Sequence, residues 1–345
     1  MANFNVLAID LAKNVFQVCK TNSRGKVIYN KSFTRKQLKE LLIRESMSLV
    51  AMEACGGTHY WARYAIEHGH KVKSMSARRV KAFRQGQKTD ANDAAAIAIA
   101  ALQPQVKSTR LLSIENQCQQ GLVRIRELLV TQKVATAKQI RDLLLDFGFP
   151  IPKGDSALFG ALSEILEDAE NSLGMDFRMA IESQRKHLNQ LLARLADIDA
   201  RLATQIKADE TCQRLQKLEG IGPVNAIALK LTLNTVEHFR NGREAAACVG
   251  VTPIQHSSGG KDKIGSISKS SGCKGLRSTL FEGSMAVIRQ LDKREARTTK
   301  EVWVKDIVAR RGKKVAAIAL ANKNVRTAYA MLKHGTDYQP SMLAA

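Results

Sequence analysis

The first hundred residues alternate short apolar runs with amphipathic ones. Val6–Ile9 and Val15–Cys19 read as strands, Thr21–Gly25 is turn chemistry, and Lys26–Phe33 reads as a third strand. Thr34 is placed to cap a helix over Arg35–Arg44. Leu49–Met52 then reads as a fourth strand, about Thr58 to His68 as a helix and Lys71–Met75 as a fifth strand. An alanine- and isoleucine-rich helix follows, headed by Asp90 and Asp93. From about Leu111 to Asp146 the pattern turns helical. After a Gly/Pro break (148–154), a second long helix is expected over about Phe177–Lys207, with Leu188, Leu191, Leu192, Leu195, Ile198, Leu202 and Ile206 at spacings of three and four. The rest reads mostly helical, broken by a long polar loop over Thr252–Gly272.

The order β-β-β-α-β-α-β-α is that of an RNase H-like (RuvC-like) α/β fold, in which the first strand centres the sheet and the fourth lies beside it. This places one candidate chemistry at a single point. Asp10 ends the first apolar run and Glu53 the fourth, while Asp90 and Asp93 share one face of the following helix. Four such carboxylates repel one another unless they hold hard cations, and Mg²⁺ favours carboxylate oxygens. Two ions about 4 Å apart are the usual clamp for the attacking and leaving oxygens of a phosphodiester. The expected organisation is a catalytic domain over 1–110, a helical arm over 111–210 and a mainly α-helical domain over 211–345. The two long helices fit an antiparallel coiled coil or dimerising arm as well as a spacer packed on its own domain.

Composition narrows the partner. The 345 residues carry 54 Lys and Arg against 32 Asp and Glu, a net charge of +22, which calls for a polyanion. A membrane surface is disfavoured, because the basic residues are spread along the chain and not gathered on one amphipathic helix. The longest apolar stretches, such as Ala94–Leu102, fall short of a span, and the N-terminus has no signal-peptide pattern. Six cysteines without a C-x-x-C pair speak against a zinc site or disulfide framework and for reduced thiols in the cytoplasm.

Two segments in the last third add candidate contacts. Leu218-Glu-Gly-Ile-Gly-Pro-Val224 has the form of a helix–hairpin–helix turn, in which Gly220 and Gly222 would present backbone N–H groups to a phosphate. In the polar loop, serines, glycines and lysines suit either phosphate contact or a hydroxyl nucleophile, and the residues alone leave both open.

The chain resembles the DEDD-type bacterial insertion-sequence transposases of the IS110 group, which include the Piv DNA invertases. The resemblance rests on Ala8-Ile-Asp10, Met52-Glu-Ala54, Lys88-Thr-Asp-Ala-Asn-Asp-Ala94, Leu218-Glu-Gly-Ile-Gly-Pro223, Cys248-Val-Gly-Val-Thr-Pro253, His256-Ser-Ser-Gly-Gly-Lys261 and Gly265-Ser-Ile-Ser-Lys269. These run in the family's order over nearly the whole chain, and the His-Ser-Ser-Gly-Gly-Lys form is most similar to the IS1111 subgroup. The resemblance implies a cytoplasmic, nucleoid-associated DNA transposase and recombinase, guided by a structured RNA that pairs with target and donor DNA. It assigns the metal site, with two Mg²⁺ expected, to Asp10, Glu53, Asp90 and Asp93. It assigns the nucleophile to Ser258, with Ser257 its neighbour and rival, in a homo-oligomeric dimer or tetramer. Lys261, Lys263, Lys269 and Arg277 would then neutralise phosphate. Departures are Cys55-Gly-Gly57 in place of the commoner Thr-Gly, and Ser270-Ser271, which widens the usual S-K-x-G; neither touches an acid. The competing readings are a Holliday-junction resolvase that uses water with the same acids, and a non-catalytic nucleic-acid-binding protein. Loss of Ser258 separates the first of these from a serine recombinase. The intact quartet argues against the second.

Overall fold

A computed structural model describes residues 4–268 and 272–343, which divide into two compact units, 1–115 and 116–345. The first unit holds the strands β1 (Val6–Asp10), β2 (Val15–Thr21), β3 (Val27–Thr34), β4 (Leu49–Glu53) and β5 (Lys71–Met75). Its helices are α1 (Arg35–Arg44), α2 (Thr58–Glu67), α3 (Ala77–Val80) and α4 (Asp90–Leu102). The sheet order is β3-β2-β1-β4-β5, with β1 antiparallel to β2 and parallel to β4. This is the RNase H-like arrangement. It follows from burial: β1 is covered on both faces, so its first four residues are all apolar and wholly buried. Leu7 and Ile9 pack with Leu38 and Leu42 of α1 and Trp61 of α2. Val6 and Ala8 face Ala94, Ile97 and Ala98 of α4, whose small residues let the helix lie close on the sheet. Thr34 closes β3 and caps α1 through a capping box with Gln37.

The second unit is mostly helical. The long helices α5 (Ile114–Leu145) and α7 (Met175–Lys207) are tied by an Arg126–Asp199 ion pair of 2.5 Å. Between them the structure has a helix, α6 (Asp155–Glu167), where the sequence suggested only a turn region. Leu158, Leu162 and Ile165 of α6 pack against Ile140 and Leu144 of α5 and Leu188 of α7. Among the described residues, six further α-helices follow, the first five being α8 (Glu210–Leu215), α9 (Pro223–Leu233), α10 (Gly242–Val249), α11 (Lys274–Leu291) and α12 (Thr299–Arg311). The last is α13 (Lys313–His334). Between α10 and α11, the expected polar loop is instead a two-stranded antiparallel hairpin, β6 (Pro253–Ser258) and β7 (Lys261–Ile267). Gly259 and Gly260 turn it with φ of 56° and 75°, the positive values that a two-residue type I′ turn requires at both positions. Among the described residues, no helix is long and apolar enough to cross a membrane.

Candidate active site

The sheet sets the acid positions. In the parallel register Ile9 lies opposite Met52, so Asp10 and Glu53 leave adjacent strands at the same end. Thr89 caps α4 by accepting from the Asn92 N–H at 3.2 Å, which puts Asp90 and Asp93 in its first turn, where the helix dipole favours negative charge. The four carboxylates feel one another. Burial, then the charges of Asp93, Asp90 and Glu53, raise the Asp10 pKa from its ordinary value to about 6, while Lys88 opposes the shift. Glu53 is raised by burial and by Asp93, and is held down in part by Lys88 and Arg84. Arg84 Nη1 donates to Asp93 Oδ1 at 3.2 Å.

The quartet shares one end of the sheet without closing into a cage. Among the described residues, no three His, Cys, Asp or Glu side chains are grouped tightly enough to hold a single ion. The donor chemistry nevertheless fits Mg²⁺. All four groups are hard oxygen donors, and Mg²⁺ is ordinarily held by one or two carboxylates together with water and substrate phosphates.

Ser258 lies in the other unit, at the end of β6, immediately before the glycine turn. Cross-strand partners share a face of a hairpin and successive residues alternate. Ser258 pairs with Lys261 and His256 with Lys263, so those four side chains share one face. Ser257 pairs with Asp262 on the other face and donates to Asp262 Oδ1 at 2.5 Å. That hydrogen bond and one from Gln255 hold the Asp262 carboxyl below its usual range. The two adjacent serines therefore differ: one faces two lysines and a histidine, the other an acid. The hairpin is anchored at its base. Asn322 of α13 donates to Val251 O at 3.1 Å, and Cys273 N–H to Val249 O at 3.1 Å. Gly272, at φ 80°, leaves no room for a side chain, because a Cβ there would lie 2.4 Å from Val249 O. Arg277 donates to Ser268 O at 2.9 Å, which makes it a brace of this base. Lys269 lies outside the described residues.

The G-I-G turn has a tertiary reason for its first glycine. A Cβ on Gly220 would meet Gly283 O of α11 at 2.7 Å, and one on Gly283 would meet Gly220 O at 2.0 Å. Gly222 is the exposed N-cap of α9, with open space around it and no side-chain cap. Glu219 fixes the turn from behind. It accepts from buried Lys300 at 2.6 Å and from Tyr338 at 2.8 Å, and its carbonyl accepts from Asn324 at 2.8 Å.

Residues 7–150 match a DEDD transposase model of the IS110 type, described as Transposase, and residues 212–300 match the Transposase IS116/IS110/IS902 family. The chain belongs to this family. It is 36% identical to a probable family 20 transposase of Pseudomonas aeruginosa, over 98% of this chain and 99% of that one. It is 33% identical to the transposase for insertion sequence element IS1111A of Coxiella burnetii, over 98% and 92% of the two. The transposase for IS1328 of Yersinia enterocolitica is 32% identical over 98% and 99%.

The two family matches contain the two sites: the first spans all four acids, the second both the G-I-G turn and the hairpin. Several residues of this IS110-family chain went unassigned when the sequence was read alone. Arg84 and Lys88 act on the acids, and only their place in the loop just before α4 hinted at it. His256 shares the face of Ser258, which alternation along β6 would have shown had the segment been read as a strand. Glu219 anchors its turn through partners about eighty or more positions away, with no local signal.

Proposed function

We propose that this chain is an insertion-sequence transposase that cuts and rejoins DNA through a serine nucleophile assisted by metal-bound carboxylates. The single observation that carries the serine is the hairpin register. It sets Ser258 on a face with Lys261, Lys263 and His256, a cationic surround suited to a phosphodiester, and leaves Ser257 bonded to Asp262. In this reading the Ser258 Oγ attacks phosphorus, a phosphoseryl bond forms and one P–O bond to the sugar breaks. The serine proton leaves to solvent and the departing oxygen takes one up. The reverse attack by a DNA hydroxyl rejoins strands without ATP. Asp10, Glu53, Asp90 and Asp93 would hold Mg²⁺, which supplies charge to the phosphate and the leaving oxygen. Lys261 and Lys263 contact phosphate, and the open N-terminus of α9 at Gly222 offers the helix–hairpin–helix type of backbone contact.

Because the acids and the serine belong to different units, we take the working form to be a dimer or tetramer in which sites are completed by assembly, with the α5–α7 arm a coiled-coil element of it. The net charge of +22 calls for polyanionic partners, DNA first. The structured guide RNA rests on the resemblance to the family alone. Two experiments test these points. Wild type should give a denaturant-resistant protein–DNA adduct, Ser258→Ala none, and Ser257→Ala should retain it; continued cleavage by Ser258→Ala would make the enzyme a hydrolytic nuclease. RNA sequenced from the purified complex should restore recombination to protein stripped by nuclease and high salt; recombination by the stripped protein alone would remove RNA from the mechanism.

A further inference from the structure

The loop from Arg84 to Thr89 carries two cations onto the acid quartet, and the structure holds it there. Asn92 Nδ2 of α4 donates back to Gln87 O at 2.8 Å, while Asn30 Nδ2 of β3 ties the first turn of α4 itself to the sheet through Ala91 O at 2.9 Å. Gly86, at φ 72°, makes the turn, and a Cβ there would sit 3.4 Å from Asn92 Nδ2. From this pinned loop Arg84 reaches Asp93 at 3.2 Å, both side chains about three-quarters covered at 23% and 24% exposure. Lys88 lies close enough for its charge to act on both Asp10 and Glu53. Two cations thus face four carboxylates, and one of them is bonded to a carboxylate that the metal reading needs.

We propose that Arg84 is the resident counter-ion of Asp93 and competes with the divalent cation for it, so that metal binding requires Arg84 to let go. The inference rests on the metal reading of the quartet. Arg84 is then a positioning residue: it offsets part of the Asp93 charge that acts on Glu53 while no metal is held, and it sets the metal concentration at which the site assembles. Released from Asp93, its guanidinium stays beside the site, free to face a phosphate of the bound nucleic acid. The Lys88 charge acts on Asp10 and Glu53 through space.

Direct titration of the full-length, nuclease-treated protein with Mn²⁺, followed by electron paramagnetic resonance of the free ion, reads this without any activity. Arg84→Gln removes a charge-assisted hydrogen bond to the competing carboxylate and should tighten Mn²⁺ binding about tenfold. Arg84→Lys, whose ammonium lacks the planar fork, should tighten it by less. The Mg²⁺ midpoint for DNA cleavage should move the same way in both variants, which a merely structural role for Arg84 would not produce. Equal or weaker Mn²⁺ binding by Arg84→Gln, with Asp93→Asn abolishing it, would overturn the competition and leave the metal site standing. Mn²⁺ binding that survives Asp93→Asn unchanged would instead remove the metal reading itself. Should Arg84→Gln not fold, as judged by circular dichroism, the lysine variant carries the same test, and unchanged affinity there overturns the proposal.

Discussion

Asp10 leaves a strand whose other four residues are wholly buried, whereas Ser258 leaves a strand in which every residue is exposed. The acid is held by a five-stranded sheet with helices against it, and its position is set by the whole unit. The serine is held by a two-stranded ribbon gripped at its base. A lone hairpin is marginal in water, so its geometry depends on that grip and on the glycine turn. The contrast suits two jobs. In the proposed mechanism, carboxylates that share a cation have to be pre-placed, and the sheet does that. A serine proposed to meet DNA and another subunit gains from standing clear of its own core.

The sharpest way to break the comparison is to hollow out the sheet beneath Asp10. Ile9 is completely buried one residue before the acid, and Ile9→Ala should cost about 2–5 kcal/mol. Chemical denaturation measures it. A loss below about 1 kcal/mol would mean that the core does not hold β1 as the burial indicates.

The grip on the hairpin comes next. Gly272→Ala combines a positive φ with a Cβ 2.4 Å from Val249 O and 2.6 Å from Gly250 Cα, so the base must shift at a cost of about 2–4 kcal/mol. Thermal melts should show that loss, and the adduct yield should fall with it. An adduct yield equal to wild type would show that the base need not be tight for Ser258 to work.

Relieving the acids should act in the opposite direction. A carboxyl whose folded pKa is raised above its unfolded value destabilises the fold once both forms ionise. Burial first, then Asp93, Asp90 and Glu53, take Asp10 to about 6 from 3.8, so the penalty grows in above pH 4 and is complete above pH 6. Asp10→Asn in chelator should therefore stabilise the protein by about 1–3 kcal/mol at pH 7.5, and the gain should vanish toward pH 4. Melting curves at the two pH values decide it. A variant less stable than wild type at pH 7.5 would mean that Asp10 makes favourable contacts which outweigh the repulsion.

The same contrast explains what could be read from the residues alone. Apolar runs that end in an acid announce buried strands with a polar tip, so β1 and β4 were legible, as was the acidic start of α4, and with them the RNase H-like order. The hairpin was not, because β6 and β7 are exposed except at half-buried Ile267 and so show no apolar alternation; the one local signal was Gly259-Gly260 between two polar runs. Helix α6 was passed over although Leu158, Leu162 and Ile165 carry its period, since the neighbouring Gly/Pro break drew the segment toward a turn. Gly220 illustrates a different limit. As sequence it suggests a phosphate turn, and only the fold brings Gly283 against it. Arg84 and Lys88 were hidden for a like reason: spacing tells which acids share a helix face, but not where a preceding loop points its cations.

The smallest effect is the most informative about Ser258. Gly259 and Gly260 both lie at positive φ with open space where a Cβ would stand, so their role is conformational, with no packing contact to lose. Asn-Gly is the preferred pair for a type I′ turn, because asparagine tolerates the left-handed conformation better than other side chains. Gly259→Asn should therefore leave folded stability within about 0.5 kcal/mol of wild type while narrowing the range of turn conformations. If the register that sets Ser258 beside Lys261 is the working geometry, adduct formation in this variant should match or exceed wild type. A clear loss, with the melting temperature unchanged, would show that the tip has to leave the type I′ turn for the serine to reach phosphorus. The base of the hairpin would then set only where the serine starts, and the DNA would set where it ends.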